Sequence, residues 1–419
     1  MIELDGTLSD LARLESGSEP IVSLYLDTRW RDEQQRERVR LFVHERIRQT
    51  LGRHYLPGAP GRDGLERTLK RAQDFVSGLL GQAYEADKNG LALFACESSN
   101  LWRPFFFKRS FRNALDTDRI PHLMQLAHLA DDFCPAIVAM PSQEGADIFQ
   151  VSLGELAIQE RLPGLVPHRD RDVWNPGSTT HGRTIERTKK DERRQENYEK
   201  KNLRAAAAEV EGLFDKKPES VVVLIGTSEA NAVFERELPE RIRQRVIARI
   251  PRPRGWESQD GARRDGVLEG TAAAIEAHER EQEEAAVDHA VGQALRGGLG
   301  VVGPGDVIEA LNQGRVRKLV IEDDFDRTGW QCDNCAAIGE NAEAQEICPY
   351  CGGDVKAVTV LGEALVARAL REDAEVEIVA HGNKLHSYRG VAALLRQTAG
   401  TGLRGANHRW SSAPGANQP

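Results

Sequence analysis

Hydrophobic and polar positions alternate with two different periods along this chain, and each change of period marks an element. Ile21–Leu26 (IVSLYL) is an apolar run with β-branched residues and predicts a buried strand. Arg31–Thr50 is highly charged yet sets Val39, Phe42, Val43 and Ile47 on one helical face. Leu65–Leu80 repeats that period after the loop PGAPGRDG, and Gly90–Ala95 and Leu101–Phe107 read as two short strands, the second rich in aromatics. Trp102, Phe105, Phe106 and Phe107 fit strand core better than a base-stacking platform. This opening predicts a first α/β domain over residues 1–133.

A second domain is predicted over 134–262, opening with strands at Ala136–Met140, Asp147–Val151 and Glu155–Arg161. From Pro163 to Gly182 the chain carries Gly, Pro, His and Thr with no hydrophobic period, and a stretch that long inside a domain is usually functional or disordered. A long helix at Arg183–Phe214 follows, then strands at Ser220–Ile225 and Arg245–Ile250 and a break at PRPRGW.

The third domain, 263–399, begins with a helix from Asp265 to Leu295, and RGGLGVVGPGD (Arg296–Asp306) reads as an inter-element turn. A strand ending in KLVIED, a strand at Val358–Val360 where the sheet resumes, a helix at Ala364–Arg371, a strand at Glu375–Val379 and a final helix at Gly390–Arg396 complete it. Alternating β and α pieces predict a largely parallel, three-layer arrangement. Residues 400–419 form a Gly/Ser/Asn/Pro tail expected to be disordered.

Cysteine spacing changes the picture most. Cys332, Cys335, Cys348 and Cys351 form two CxxC knuckles with twelve residues between them. Two thiolates from each can close a tetrahedron around one structural Zn²⁺, predicting a zinc ribbon at 329–357. Gly352 and Gly353 follow the second knuckle, where a tight turn needs positive φ. Trp330, just before the ribbon, is expected to pack on its base. Such a site is closed and supplies rigidity, with no spare ligand for catalysis. Cys96 and Cys134 lie in apolar runs and read as buried thiols, and zinc-type cysteines without a disulfide framework suit a reducing, cytoplasmic setting.

At 419 residues, with 40% hydrophobic and 29% charged, the composition is that of a soluble protein with several modest cores. The N-terminal segment has neither a basic region nor an apolar core of signal-peptide type, and no apolar run approaches the ~20 residues of a membrane span, so no membrane partner is expected. A net charge of −9 means that any RNA contact must come from local basic patches.

One such patch exists. Between Arg183 and Arg204 there are nine Lys/Arg against five Asp/Glu, including Arg183, Arg187, Lys189, Lys190, Arg193 and Arg194; His168, Arg169 and Arg171 add to it from the preceding loop. It can neutralise RNA phosphates, or it can be a solvated helix laced with i,i+4 pairs such as Glu186–Lys190. Thr180, His181 and Gly182 are the catalytic candidates of the loop, since imidazole titrates near neutrality and hydroxyls and amides can stabilise an oxyanion. Walker, GxSxG and HExxH motifs are absent from the sequence, and Asp323, Asp324 and Asp326 are the only carboxylates that keep a nuclease in view.

Three pieces, in order, resemble the archaeo-eukaryotic class 1 peptide chain release factor and Pelota family, closest to its divergent, Balon-like bacterial branch. They are PIVSLYLDT near the start, HGR followed by ENYEKKNLRAAAAEVEGLF in the middle, and RVRKLVIEDD with the cysteine ribbon, LGEALVARALREDAEVEIV and RGVAALLR at the end. The resemblance implies three α/β domains in release-factor/Pelota order with the zinc ribbon inserted in the last. It also implies a ribosome-binding translation factor contacting ribosomal RNA and tRNA, with a translational GTPase as a further partner. The family's GGQ is missing: the matching loop reads NPGSTTHGRT, and RHYLPGAPGRDG stands where the family reads codons. The resemblance therefore implies occupancy of the A site in rescue or hibernation, or else a peptidyl-tRNA hydrolase with a rewired loop.

Overall fold

The computed structural model describes residues 4–17, 19–53, 61–82, 88–131, 135–142, 145–152, 155–163, 181–252, 260–341 and 346–396, with backbone alone over 4–5, 53, 131, 145, 152, 155–163, 181–196 and 260–265. The first unit comprises α1 (Leu4–Ala12), β1 (Ile21–Asp27), α2 (Glu33–Arg53), α3 (Arg62–Leu80), β2 (Gly90–Cys96), β3 (Leu101–Phe107), β4 (Ala114–Asp118) and α4 (Met124–Asp131). Its sheet runs β3-β2-β1-β4 and is antiparallel throughout. Both faces of β1 are buried, which is why its sequence is a continuous apolar run. Val22, Leu24 and Leu26 pack with Leu65, Leu69 and Val76 of α3, while Ile21 and Tyr25 face a second core.

The second unit contains β5 (Ala136–Ser142), β6 (Gly145–Ser152), β7 (Glu155–Pro163), α5 (His181–Lys216), β8 (Val221–Ile225), α6 (Ser228–Glu237), α7 (Glu240–Arg243) and β9 (Val246–Ile250). The sheet order is β7-β6-β5-β8-β9, with antiparallel hairpins on one side and parallel β5–β8–β9 on the other. In α5, Leu203, Ala206, Ala207, Val210, Leu213 and Phe214 form the apolar stripe of an amphipathic helix and pack on Ile137, Ile148 and Leu224. The opposite sheet face is covered by Val267 and Ile275 of α8 (Asp260–Leu295).

That helix is unbroken for 36 residues, about 54 Å at 1.5 Å per residue. Its far end places Val287, Ala290 and Val291 against the third unit. Here β10 (Gly300–Val302), α9 (Pro304–Asn312), β11 (Val316–Glu322), β12 (Gly329–Cys332), β13 (Ile338–Glu340), β14 (Val355–Val358), α10 (Leu361–Arg371), β15 (Glu375–Val379) and β16 (Val391–Leu395) follow. The main sheet runs β10-β16-β11-β15, in which β11–β15 alone is a parallel pair.

Several sequence expectations are corrected. The expected final helix at Gly390–Arg396 is β16, whose five residues are all buried between β10 and β11. The expected turn at Arg296–Asp306 contains β10 and the start of α9, with Pro304 at the first helical position. The strand expected at Val358–Val360 lies three residues earlier, as β14 (Val355–Val358), and belongs to the ribbon's own sheet. The arrangement is mixed rather than largely parallel: among the described residues antiparallel strand pairs outnumber the three parallel ones, β5–β8, β8–β9 and β11–β15. Cys96 is buried, as expected; Cys134 and the tail lie outside the described residues.

The first and third units share one core. Leu11, Phe94, Leu123 and Leu126 join Leu319, Ile321, Leu361 and Leu365 in a single apolar cluster. Glu363 Oε2, from α10, accepts the backbone N–H groups of Leu123 (2.6 Å) and Met124 (2.9 Å) at the start of α4. A carboxylate there satisfies otherwise orphaned N–H groups of that helix. Beside it, His122 is buried, with Nε2 3.5 Å from Asp118 and Nδ1 4.0 Å from Asp116. Burial disfavours charge on His122, but Asp118, Glu363 and Asp116 outweigh it and raise its pKa to about 9.

Candidate functional site

The ribbon is built by two similar turns. Cys332 N–H donates to Ala337 O at 2.8 Å, and Cys348 N–H donates to Gly353 O at 2.8 Å. The fifth position of each turn is left-handed, Ala336 with φ 56° and Gly352 with φ 72°. Positive φ thus falls on Gly352 and not on Gly353, and Gly353 instead sits against Asn334 and the cysteine sulfurs. Within the first knuckle the N–H groups of Asn334 and Cys335 point at Cys332 Sγ, at 3.3 and 3.5 Å.

All four sulfurs lie within 4.8 Å of one another. Cys332 Sγ and Cys351 Sγ are 3.4 Å apart, and Cys335 Sγ and Cys348 Sγ 3.6 Å. A disulfide needs about 2.05 Å, whereas sulfurs on a tetrahedral ion with Zn–S bonds of about 2.3 Å stand about 3.8 Å apart. The donor set therefore fits a closed four-thiolate metal site. The N–H of Gly353 and the neighbouring sulfurs draw the Cys351 thiol down to about 6, while burial pushes the Cys335 thiol up to about 12.

The ribbon is fastened to the third unit. Trp330 is buried, and its ring lies on Gly339 so closely that a Cβ there would stand 2.2 Å from it. Asn312, the last residue of α9, extends the sheet: its Nδ2 donates to Ile338 O at 2.8 Å and its Oδ1 accepts Ile338 N–H at 2.9 Å. Tyr350 donates to Glu309 at 2.5 Å, and Asp333 pairs with Lys356 at 2.7 Å and with Arg119 of the first unit.

The other predicted site falls on α5. His181 and Gly182 open this helix, and Arg183, Arg187, Lys189, Lys190, Arg193 and Arg194 occupy its first four turns. Positions 183, 187, 190 and 194 recur at helical spacing along one face. Thr180, His168, Arg169 and Arg171 lie outside the described residues. Further along, Arg204 pairs with Glu237 at 2.9 Å, so this end of the helix is tied to α6.

A third group was not singled out by sequence. Glu322, His381 and His386 bring donor atoms within 4.8 Å of one another, with Asp324 against His381. Only the His-x₄-His spacing signalled it in the sequence, because the sheet supplies the glutamate from far upstream. Among the described residues, no helix is long and apolar enough to cross a membrane.

Residues 121–276, from the start of α4 into α8, match the model of bacterial archaeo-eukaryotic release factor family 10. Over this segment, less than half of the chain, the sequence is similar to that release factor family. Among solved structures it is similar to archaeal translation termination factor aRF1, at 18% identity over 94% of this chain and 97% of that one, TM-score 0.24. It is also similar to Archaeoglobus fulgidus Pelota, at 16% identity over 75% and 81%, TM-score 0.30. A third is a ribosome-bound archaeal Pelota described with ABCE1, at 16% identity over 73% and 77%, TM-score 0.39. No curated protein matches the chain.

Proposed function

We propose that this chain is a cytoplasmic translation factor that acts at the ribosome and occupies the A site during rescue or hibernation. The observation that carries this reading is the release-factor family match over 121–276, within which α5 lies with its basic first turns. Phosphate neutralisation by clustered Lys and Arg supplies strong, salt-dependent affinity for RNA even in an acidic protein. In this reading residues 1–133 face the decoding region and 134–262 carry the loop and α5 toward the peptidyl-transferase region. Residues 263–399 meet a translational GTPase, with Zn²⁺ in the cysteine ribbon holding that surface rigid. Ribosomal RNA and tRNA are the remaining partners.

Peptide release is the competing reading, with Thr180, His181 and Gly182 positioning water or an oxyanion in place of the glutamine. The deciding experiment sediments the full chain with ribosomes carrying P-site peptidyl-tRNA and scores co-pelleting and released peptide together. Co-pelleting without release is expected. Release that is lost in His181→Ala while binding persists would convert the protein into a hydrolase.

A further inference from the structure

The carboxyl ends of the parallel pair β11–β15 carry a cluster for which the release-factor reading has no use. Glu322 ends β11, His381 follows β15 by two residues, and His386 lies in the 3₁₀ turn Lys384–Tyr388. The register places Glu322 beside Val379; Glu322 N–H donates to Gly390 O at 2.9 Å and Asp323 N–H to Val379 O at 3.0 Å. Sheet geometry thus brings the three side chains to one place. Crevices beyond the carboxyl ends of parallel strands are where open α/β sheets hold ligands.

Four features distinguish this cluster from a surface ion pair. Glu322 is 3% exposed, and its Oε1 is buried without a hydrogen-bond partner, a costly state for a carboxylate unless a cation compensates it. Its Oε2 stands 3.4 Å from His386 Nδ1. Charge-assisted hydrogen bonds are usually about 2.7–2.9 Å, but two ligands of one tetrahedral ion, each bound at about 2.0–2.1 Å, stand about 3.3 Å apart. Asp324 Oδ2 lies 2.8 Å from His381 Nδ1, the carboxylate–histidine arrangement that fixes the tautomer and leaves Nε2 to ligate. Lastly, a Cβ at Gly390 would stand 2.7 Å from Glu322 Oε2, so the absence of a side chain there keeps room for the carboxylate.

The histidines are held for the task. Asn383 Oδ1 accepts Leu385 N–H at 2.7 Å, its Nδ2 donates to Ala380 O at 2.7 Å, and Leu385 is fully buried. The two imidazoles meet edge-on with centroids 4.7 Å apart, and both are more than half exposed, so water can reach the ion.

We propose that Glu322, His381 and His386 form a binding site for one divalent transition-metal ion, separate from the cysteine ribbon. Two imidazole nitrogens and one carboxylate oxygen suit Zn²⁺ and its first-row neighbours, and the fourth position is open to solvent. Asp324 acts as the positioning residue for His381.

Cobalt distinguishes this site from the ribbon, because thiolate ligation gives intense charge-transfer absorption and N/O ligation does not. The full chain, purified with its ribbon metal retained, is titrated with Co²⁺ and followed in the visible and near ultraviolet. One Co²⁺ binding with visible d–d bands and no thiolate band is expected. His381→Ala and Glu322→Gln abolish it, and Asp324→Asn, at a half-exposed position, weakens it about 10- to 100-fold with circular dichroism unchanged. An exchanging or vacant ribbon announces itself by the thiolate band, so the two sites remain separately scored. Absence of the N/O-ligated ion, or binding unchanged in both His381→Ala and Glu322→Gln, overturns the proposal.

Discussion

Glu363 caps the helix that begins after Leu123: its Oε2 accepts the Leu123 N–H at 2.6 Å across 240 residues of sequence. The bond joins the first and third units where they already share an apolar core. Replacing Glu363 with alanine leaves two buried N–H groups unpaired. We expect the variant to lose about 2–4 kcal/mol, read as an earlier urea midpoint for the transition that unfolds these two units. An unchanged midpoint would show that the apolar cluster alone joins them.

The same region should respond to pH. His122 has its pKa raised from 6.5 to about 9, so the folded state favours its protonated form. Its contribution is complete below about pH 6.5 and is lost as pH rises through about 9. Burial raises the Glu363 carboxyl against the pull of His122 and the two N–H groups, and this shift has the same sign. Thermal midpoints should therefore fall between pH 7 and 10, and the fall should be shallower in His122→Gln.

Cys348→Ser removes one of four ligands from the ribbon. Metal analysis should give one ion per chain fewer than wild type, and limited proteolysis should cut within 329–358. Structural zinc is worth ~10–16 kcal/mol in small finger peptides, but Trp330 and Asn312 tie this ribbon to a larger unit. The loss should thus stay local, with the remaining units retaining their far-ultraviolet signal.

Asn312→Ala tests that tie. It deprives Ile338 of a donor and an acceptor at the sheet edge, and about 1–3 kcal/mol of ribbon stability should go with them. Faster amide exchange at Ile338, with metal content unchanged, is the expected signature.

Much of this was legible in the sequence where one element carries its own pattern. β1, α3 and α5 lie close to where their periodicity put them, and the CxxC spacing anticipated the gathering of four sulfurs. What sequence could not supply depends on distant neighbours. The VAALL segment fits a helix or a strand equally, and only its place between β10 and β11 decides. α8 reads as one helix but not as the element that covers two sheets. Glu322 is one carboxylate among several until parallel pairing sets it near two histidines. The loop with His168, Arg169, Arg171 and Thr180 is a reading from sequence alone.

The most direct test of the account is ribosome co-sedimentation across a salt series, comparing wild type with the variant Lys189→Ala, Lys190→Ala, Arg193→Ala, Arg194→Ala. Each phosphate that the variant fails to neutralise lowers the slope of log affinity against log salt by about 0.7–0.9. The variant is expected to bind more weakly and with a visibly flatter slope. Equal affinity and equal slope would contradict this and leave the first turns of α5 as a solvated helix.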